Sequence, residues 1–329
     1  MKSTSICALT LLFGFFLVGC QSSVRMTRPD ADASLSRPDD WLRERNREAA
    51  GTLFQIRHPV EPVRMRLRRL ETPVTQFAHE SWALLWLDSA FDIVDSDAPE
   101  RATADGREGV SVRVRFSDAD ETIAHELFVA NAAGETYVLE AWGHPEAMAR
   151  TEEARRFILQ SVDFPANEQE KPSEATTEQT EIEGNGWRLV LPGVDGSVVN
   201  SKWLVEHRDE QTSVVALPSH LIEGELRSES LDYPIDAVKY AETALGAKVE
   251  AQGDRHDVIV RQNAKANART PMYTIYRFIT RGERGVQIAV STPQALYEKN
   301  PKVVDALVDS LELKATAADA EQRDDTSEK

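Results

Sequence analysis

Two stretches decide the fold: Gly134-Glu135-Thr136-Tyr137-Val138-Leu139-Glu140-Ala141-Trp142-Gly143-His144-Pro145 and Gly282-Glu283-Arg284-Gly285-Val286-Gln287-Ile288-Ala289-Val290-Ser291-Thr292-Pro293. Each starts at a glycine turn, runs through a strand-like apolar core and reaches a proline eleven residues on. Their surroundings recur in the same order. Val110 to Phe116 and His125 to Val129 precede the first, as Asp257 to Val260 and Met272 to Ile279 precede the second. Helical patterns close both, on Phe157 to Val162 and on Ala306 to Leu311. Proline to closing serine is sixteen residues in one copy and seventeen in the other, a difference that a loop would absorb. Shared order and spacing of this kind reads as a tandem repeat of one domain.

The periodicities give each repeat its elements. Val110, Val112, Val114 and Phe116 alternate with Ser111, Arg113 and Arg115, as on a strand with one buried face. Ala154, Phe157, Ile158 and Val162 recur at helical spacing, as do Val304, Leu307, Val308 and Leu311. Earlier helices are expected over Val74 to Leu85 and over Ile235 to Leu245, with Pro234 in the first turn of the latter and Gly246 as its C-cap. Trp41 to Ala50 is helix-like and Leu53 to Arg57 strand-like. Short glycine turns between strands imply hairpins and a mainly antiparallel sheet. The expected fold class is α+β: two tandem repeats, each a mainly antiparallel sheet covered by helices. Residues 41–164 form the first repeat and 185–314 the second. An acidic linker is expected over 165–184 and a disordered tail over 315–329.

The second repeat resembles the PsbP-like domain, an α/β/α sandwich also seen in small envelope lipoproteins of the DcrB type. The likeness is carried by Gly186 to Pro192, Tyr240-Ala241-Glu242, the Met272 to Val290 hairpin and the Leu307 to Leu311 closing pattern. It implies a non-enzymatic binding or assembly role and carries over no ligand site.

The chain's address is written at its start. Lys2 precedes an apolar run from Ile6 to Val18, and Leu17-Val18-Gly19-Cys20 follows the layout of a lipobox. The stretch resembles a bacterial lipoprotein signal, which implies removal of residues 1–19 and acylation of Cys20, palmitate included. Gln21 in place of aspartate implies the outer membrane, facing the periplasm, over inner-membrane retention. Residues 20–40, rich in Ser, Asp, Arg and Pro, are expected to be a flexible tether. Cleavage removes Lys2, so the net charge of −17 becomes −18, which argues against nucleic acid. Cys7 leaves with the signal and Cys20 is acylated, so stability must come from the core.

No motif for catalysis stands out. The seven histidines lie far apart, without an HExxH pattern, and neither a Gly-x-Ser-x-Gly elbow nor a phosphate loop occurs. No catalytic residue, metal ligand or cofactor is expected. Two stretches invite a binding reading. Val63 to Leu70 alternates apolar and cationic residues and would display Arg64, Arg66 and Arg68 on one strand face, suited to carboxylate or phosphate. The preferred alternative is a solvated face neutralised by the protein's own acids. Trp82, Leu85 and Trp86 lie in a helical turn that is apolar on every side, either a docking helix or, as we prefer, a buried one. Trp142 and His144 read as a packed strand edge. The leading functional expectation is a non-catalytic, lipid-anchored periplasmic scaffold or accessory factor with an envelope protein partner. A small-ligand or lipid carrier, and a hydrolase with a site assembled from distant residues, are the alternatives.

Overall fold

The computed structural model describes residues 22–28, 32–44, 50–119, 121–165, 179–194, 201–263 and 269–314. The lipobox and the C-terminal tail lie outside the described residues, as does most of the expected acidic linker.

Strands β1 (Ser23–Arg28) and β2 (Ala33–Pro38) form an antiparallel hairpin. This corrects the flexible tether. Leu35 is 1% exposed in the first core, and the Ser34 N–H donates to Asp163 O at 2.9 Å. Composition hid the hairpin, because only Met26, Ala33 and Leu35 of this polar stretch reach the core as apolar side chains of the two strands.

The first large sheet is built from β3 (Leu42–Arg43), β4 (Thr52–Arg57), β5 (Val63–Arg69), β6 (Ile93–Ser96), β7 (Glu100–Ala104), β8 (Arg107–Asp118), β9 (Glu121–Ala132) and β10 (Glu135–Gly143). Its order is β3-β4-β5-β10-β9-β8-β6, with β7 also on β8 and every pairing antiparallel. Helix α1 (His79–Ala90) covers one face, packing Ala83 and Leu87 on Val112, Leu127, Val129 and Val138. Helices α2 (Pro145–Arg150) and α3 (Glu152–Gln160), with the β1–β2 hairpin, cover the other over Met65, Leu67, Tyr137, Leu139 and Ala141.

The second unit begins with β11 (Thr180–Gly184), part of the stretch expected as linker, which pairs with β12 (Trp187–Leu191). Its large sheet comprises β13 (Leu204–His207), β14 (Thr212–Leu217), β15 (Ile222–Ser230), β16 (Gln252–Gly253), β17 (Asp257–Asn263), β18 (Met272–Arg281) and β19 (Arg284–Pro293), in the order β13-β14-β15-β19-β18-β17-β16. Helix α4 (Ala237–Leu245) packs on one face, and α5 (Gln294–Lys299) and α6 (Pro301–Asp309) lie towards the other. β20 (Glu312–Leu313) completes a three-stranded sheet with β11 and β12. Asp236 caps α4 by accepting from the Lys239 N–H at 2.7 Å, so Pro234 precedes the helix and is not in its first turn. Gly246, at φ 65°, ends it.

The α+β class is therefore corrected: among the described residues the architecture is predominantly antiparallel β, with four sheets, about 50% strand and 22% helix. Hairpins contribute layers that were expected to be helical. The expected single closing helix is in each unit two short ones, broken at Thr151 and at Asn300. Trp41 to Ala50 does not open as a helix, since Leu42–Arg43 pairs with β4.

The two large sheets follow the same strand order, and their C-terminal halves match at one offset. Pro145–Arg150 answers to Gln294–Lys299 and Glu152–Gln160 to Pro301–Asp309, each 149 residues on. The paired glycines and prolines of the sequence lie 148 apart, one residue out of step. Ala133, at φ 50°, takes the place of Gly282, at φ 60°. A slip of one residue exchanges the two faces of a strand, so Glu140 answers to Ala289 and not to Ile288. Ser161 and Ser310 then coincide in position and in bonding. Each hydroxyl donates to the carbonyl three residues back at 2.8 Å and bonds both backbone groups of one residue in the small sheet, Ser36 or Val190. No loop insertion is needed.

The units touch where the Thr75 N–H donates to Ser219 O at 2.9 Å and where Val74, Ala78 and Leu296 share a small core. Among the described residues no helix is long and apolar enough to cross a membrane.

Candidate functional site

The alternation of β5 puts Val63, Met65 and Leu67 in the core and Arg64, Arg66 and Arg68 on the opposite face. That face is not an open surface, because α1 lies across it. Arg66 and Arg68 are only 15% and 12% exposed, and both converge on Glu140 of β10, at 2.5 Å each. Glu140 is fully buried and stands opposite Arg66 in the β5–β10 register. Arg64 stays outside, 3.4 Å from Glu44. The expected exposed basic face is thus corrected to a buried ion cluster with one exposed arginine.

Aromatic side chains roof the cluster. Trp82 and Trp86 stack 6.1 Å apart, and the Arg68 guanidinium sits 4.7 Å from the Trp86 ring centre and 6.0 Å from that of Trp82. Arg66 lies 5.3 Å from the Trp142 ring centre. The docking-helix residues Trp82 and Trp86 are therefore half-buried partners of the cluster, and Leu85 of the same turn is half-buried as well.

His125 of β9 faces Trp142 across the strands. It is 4% exposed and boxed by Trp86, Phe91, Phe116 and Trp142 at centroid distances of 5.3 to 6.3 Å. Neither ring nitrogen has a hydrogen-bond partner among the described residues, and Nε2 stops 3.9 Å from Glu140. Burial, aided by the fields of Arg66 and Arg68, pushes its pKa down to about 3, so the ring is neutral. Burial likewise pulls the Arg68 guanidinium below its ordinary value, against the attraction of Glu140.

Of these groups Arg66, Glu140, His125, Phe91, Phe116 and Trp142 line the deep end of a cleft of about 970 Å³, open past the C-terminus of α1, and Arg68, Trp82 and Trp86 lie behind it. Its sides are the 57–63 segment, with Arg57, His58 and Glu61, and Ser117, Asp118 and Glu121 at the facing ends of β8 and β9; Trp142 and His144 are lining residues and not merely a packed edge. Glu61 is held by a two-pronged bond from Arg150, at 2.9 and 2.8 Å, which keeps its carboxyl below the usual range. Among the described residues no group of three His, Cys, Asp or Glu is placed to hold a metal.

The second unit has the same scaffold without this chemistry. At the positions of Arg66, Glu140, His125 and Trp142 it carries Glu225, Ala289, Thr274 and Ser291. Glu225 pairs with Arg227 beside it, and the Thr274 and Ser291 hydroxyls bond each other at 2.9 Å. Glu140 and His125 were missed as site residues. The available signal was an acid inside the otherwise apolar run Tyr137 to Ala141, which a buried strand tolerates only beside a counter-charge.

No protein-family model matches the chain, and no curated protein matches it. Among solved structures it is similar to LpqN of Mycobacterium tuberculosis, described as involved in cell envelope biogenesis, at 18% identity over 44% of this chain and 91% of that one, TM-score 0.35. Cyanobacterial PsbP from Synechocystis matches at 13% identity over 45% and 95%, TM-score 0.36. A Tle4–Tli4 complex structure matches at 12% identity over 87% and 96%, TM-score 0.24. Likenesses of this level carry no conclusion about what the chain does.

Proposed function

We propose that this protein is a non-catalytic, lipid-anchored accessory protein of a bacterial envelope, built by duplication of one antiparallel β unit. In this reading the first copy supplies a binding cleft and the second a framework. The observation that carries it is the asymmetry between the units: one strand order, but a buried Arg66–Glu140–Arg68 cluster in the first only. Burying three charges costs more than filling the same space with apolar groups. The second unit folds without doing so, so the cluster is not a requirement of the scaffold.

Catalysis is disfavoured by the ion pairing of the acid and the weakness of the base: Glu140 is held by two cations, and burial lowers His125 to about 3, far from the pKa near neutrality that suits proton transfer. The anchor is argued from Leu17 to Cys20, and from Gln21 for the outer membrane.

Photo-crosslinking in intact cells tests the division of labour. A photoreactive residue replaces Val60, which is 84% exposed on the cleft's side loop, or Tyr233, which is 64% exposed on the second unit. Discrete envelope adducts are expected from position 60 and not from 233. Adducts from 233 alone would overturn the reading.

A further inference from the structure

The deep end of the cleft carries an unbalanced charge. Arg66 and Arg68 face a single carboxylate, Glu140, and His125 adds none, so one positive charge is left over in a site closed to water on most sides. The unmet hydrogen-bonding groups are on the same spot. Arg66 Nε, Arg68 Nε and Nη2, Glu140 Oε1 and both nitrogens of His125 are buried without a hydrogen-bond partner among the described residues, and Arg66, Glu140 and His125 line the cleft. Buried polar atoms left unpaired in this way are costly, and an acceptor entering from the cleft would satisfy the Arg66 Nε–H and the single N–H of the neutral His125 ring.

We infer that this end of the cleft is a subsite for one compact oxyanion, a carboxylate or a phosphate monoester, carried on an uncharged apolar body. The inference rests on the reading of the first unit as a binding module. The charge surplus and the free N–H groups select the anionic head, through charge-assisted hydrogen bonds from Arg66 and a neutral one from His125. Phe91, Phe116 and Trp142 offer the wall against which the apolar body packs. The rim selects against larger anions: Asp92, Asp118 and Glu121 are exposed there, and the exposed Arg57 and Arg64 share Glu44, so charge carried beyond the head meets more acid than base. In the second unit every one of these demands is already met internally. Glu225 and Arg227 balance one to one, and Thr274 and Ser291 satisfy each other.

Titration calorimetry on the full chain separates the possibilities, with 4-phenylbutyrate, its uncharged amide, phenyl phosphate and inositol hexakisphosphate as probes. Saturable binding of 4-phenylbutyrate or phenyl phosphate is expected, roughly tenfold or more tighter than the amide or the hexakisphosphate. The tighter of the two names the head. Arg66→Gln should lose that binding by a similar factor while its unfolding midpoint is unchanged or raised, because Arg68 and Glu140 are then left one to one. Arg227→Gln, at the place of Arg68 in the second unit, should bind as the wild type does. Binding of the amide as tight as that of the better anion, saturation by neither anion, or binding that survives Arg66→Gln would each overturn the inference. If the probes fail while adducts persist from position 60, the oxyanion subsite falls and the binding role of the first unit stands.

Discussion

Replacing Glu140 with glutamine keeps the side-chain volume and removes the only charge that Arg66 and Arg68 share. Glu140 is fully buried, with a guanidinium 2.5 Å from each of its oxygens. Loss of one partner from a buried ion pair costs about 3–5 kcal/mol, because the remaining charge is left without compensation. Two arginines would here be stranded beside each other, which raises the cost. Their exposures of 15% and 12% leave each some access to water, which lowers it again. We expect about 3–4 kcal/mol. The second unit supplies the compensating change. Arg66→Glu with Glu140→Ala installs the pattern of Glu225, Arg227 and Ala289, one acid beside one base with alanine opposite. The double variant should lie within about 1–2 kcal/mol of wild type, so the two changes couple strongly. Urea denaturation followed by tryptophan fluorescence measures this, since Trp82, Trp86 and Trp142 surround the cluster. A cost below about 1 kcal/mol for Glu140→Gln, or a double variant no more stable than the single one, would refute the reasoning.

Further tests follow from individual residues. His125 is neutral in the native state down to about pH 3, whereas its unfolded-state value is the ordinary 6.5. Its native pKa is thus depressed, so its contribution is complete above pH 6.5 and lost as pH falls towards 3. By linkage this removes about 2 kcal/mol between pH 8 and pH 5, and His125→Phe should flatten that part of the stability profile; an unchanged slope would contradict it. His79, also lowered by burial, contributes a fall of the same sign that this variant leaves in place. Ser161→Ala and Ser310→Ala should each cost about 1–2 kcal/mol and match one another, since each leaves a backbone N–H of the small sheet unpaired. Unequal costs would weaken the case for duplication. Leu35→Ala should cost about 2–4 kcal/mol, measured by denaturation, where a residue of a tether would cost nothing. Cys20→Ser should move the protein from the membrane pellet to the soluble periplasmic fraction; continued sedimentation with membranes would discard the anchor.

The elements were legible where one principle dominated. The glycine turns and alternating apolar residues around Gly134 and Gly282 mark the central hairpins, and the helical spacing of Val304 to Leu311 marks α6. Register was not legible, because one glycine has an alanine as its counterpart: Ala133 holds a positive φ at the place of Gly282, so the glycines align one residue out of step. The β1–β2 hairpin was hidden by composition, its polar residues facing outward and its few apolar ones reaching a core assembled from distant chain. The arginine stripe was read on the correct face but as open surface, since nothing local to Val63–Arg69 announces that α1 lies over it. Glu140 meets Arg66 across 74 residues of chain, a proximity that only the β5–β10 pairing creates.

The central claim, that the first unit recognises and the second supports, is tested most directly by exchanging their chemistry. With the photoreactive residue at position 60, the adduct should disappear in Arg66→Glu/Glu140→Ala, a variant expected to stay folded. It should persist in the reverse exchange of the second unit, Glu225→Arg/Ala289→Glu. An adduct that survives the first exchange, or is lost equally in both, would contradict the account.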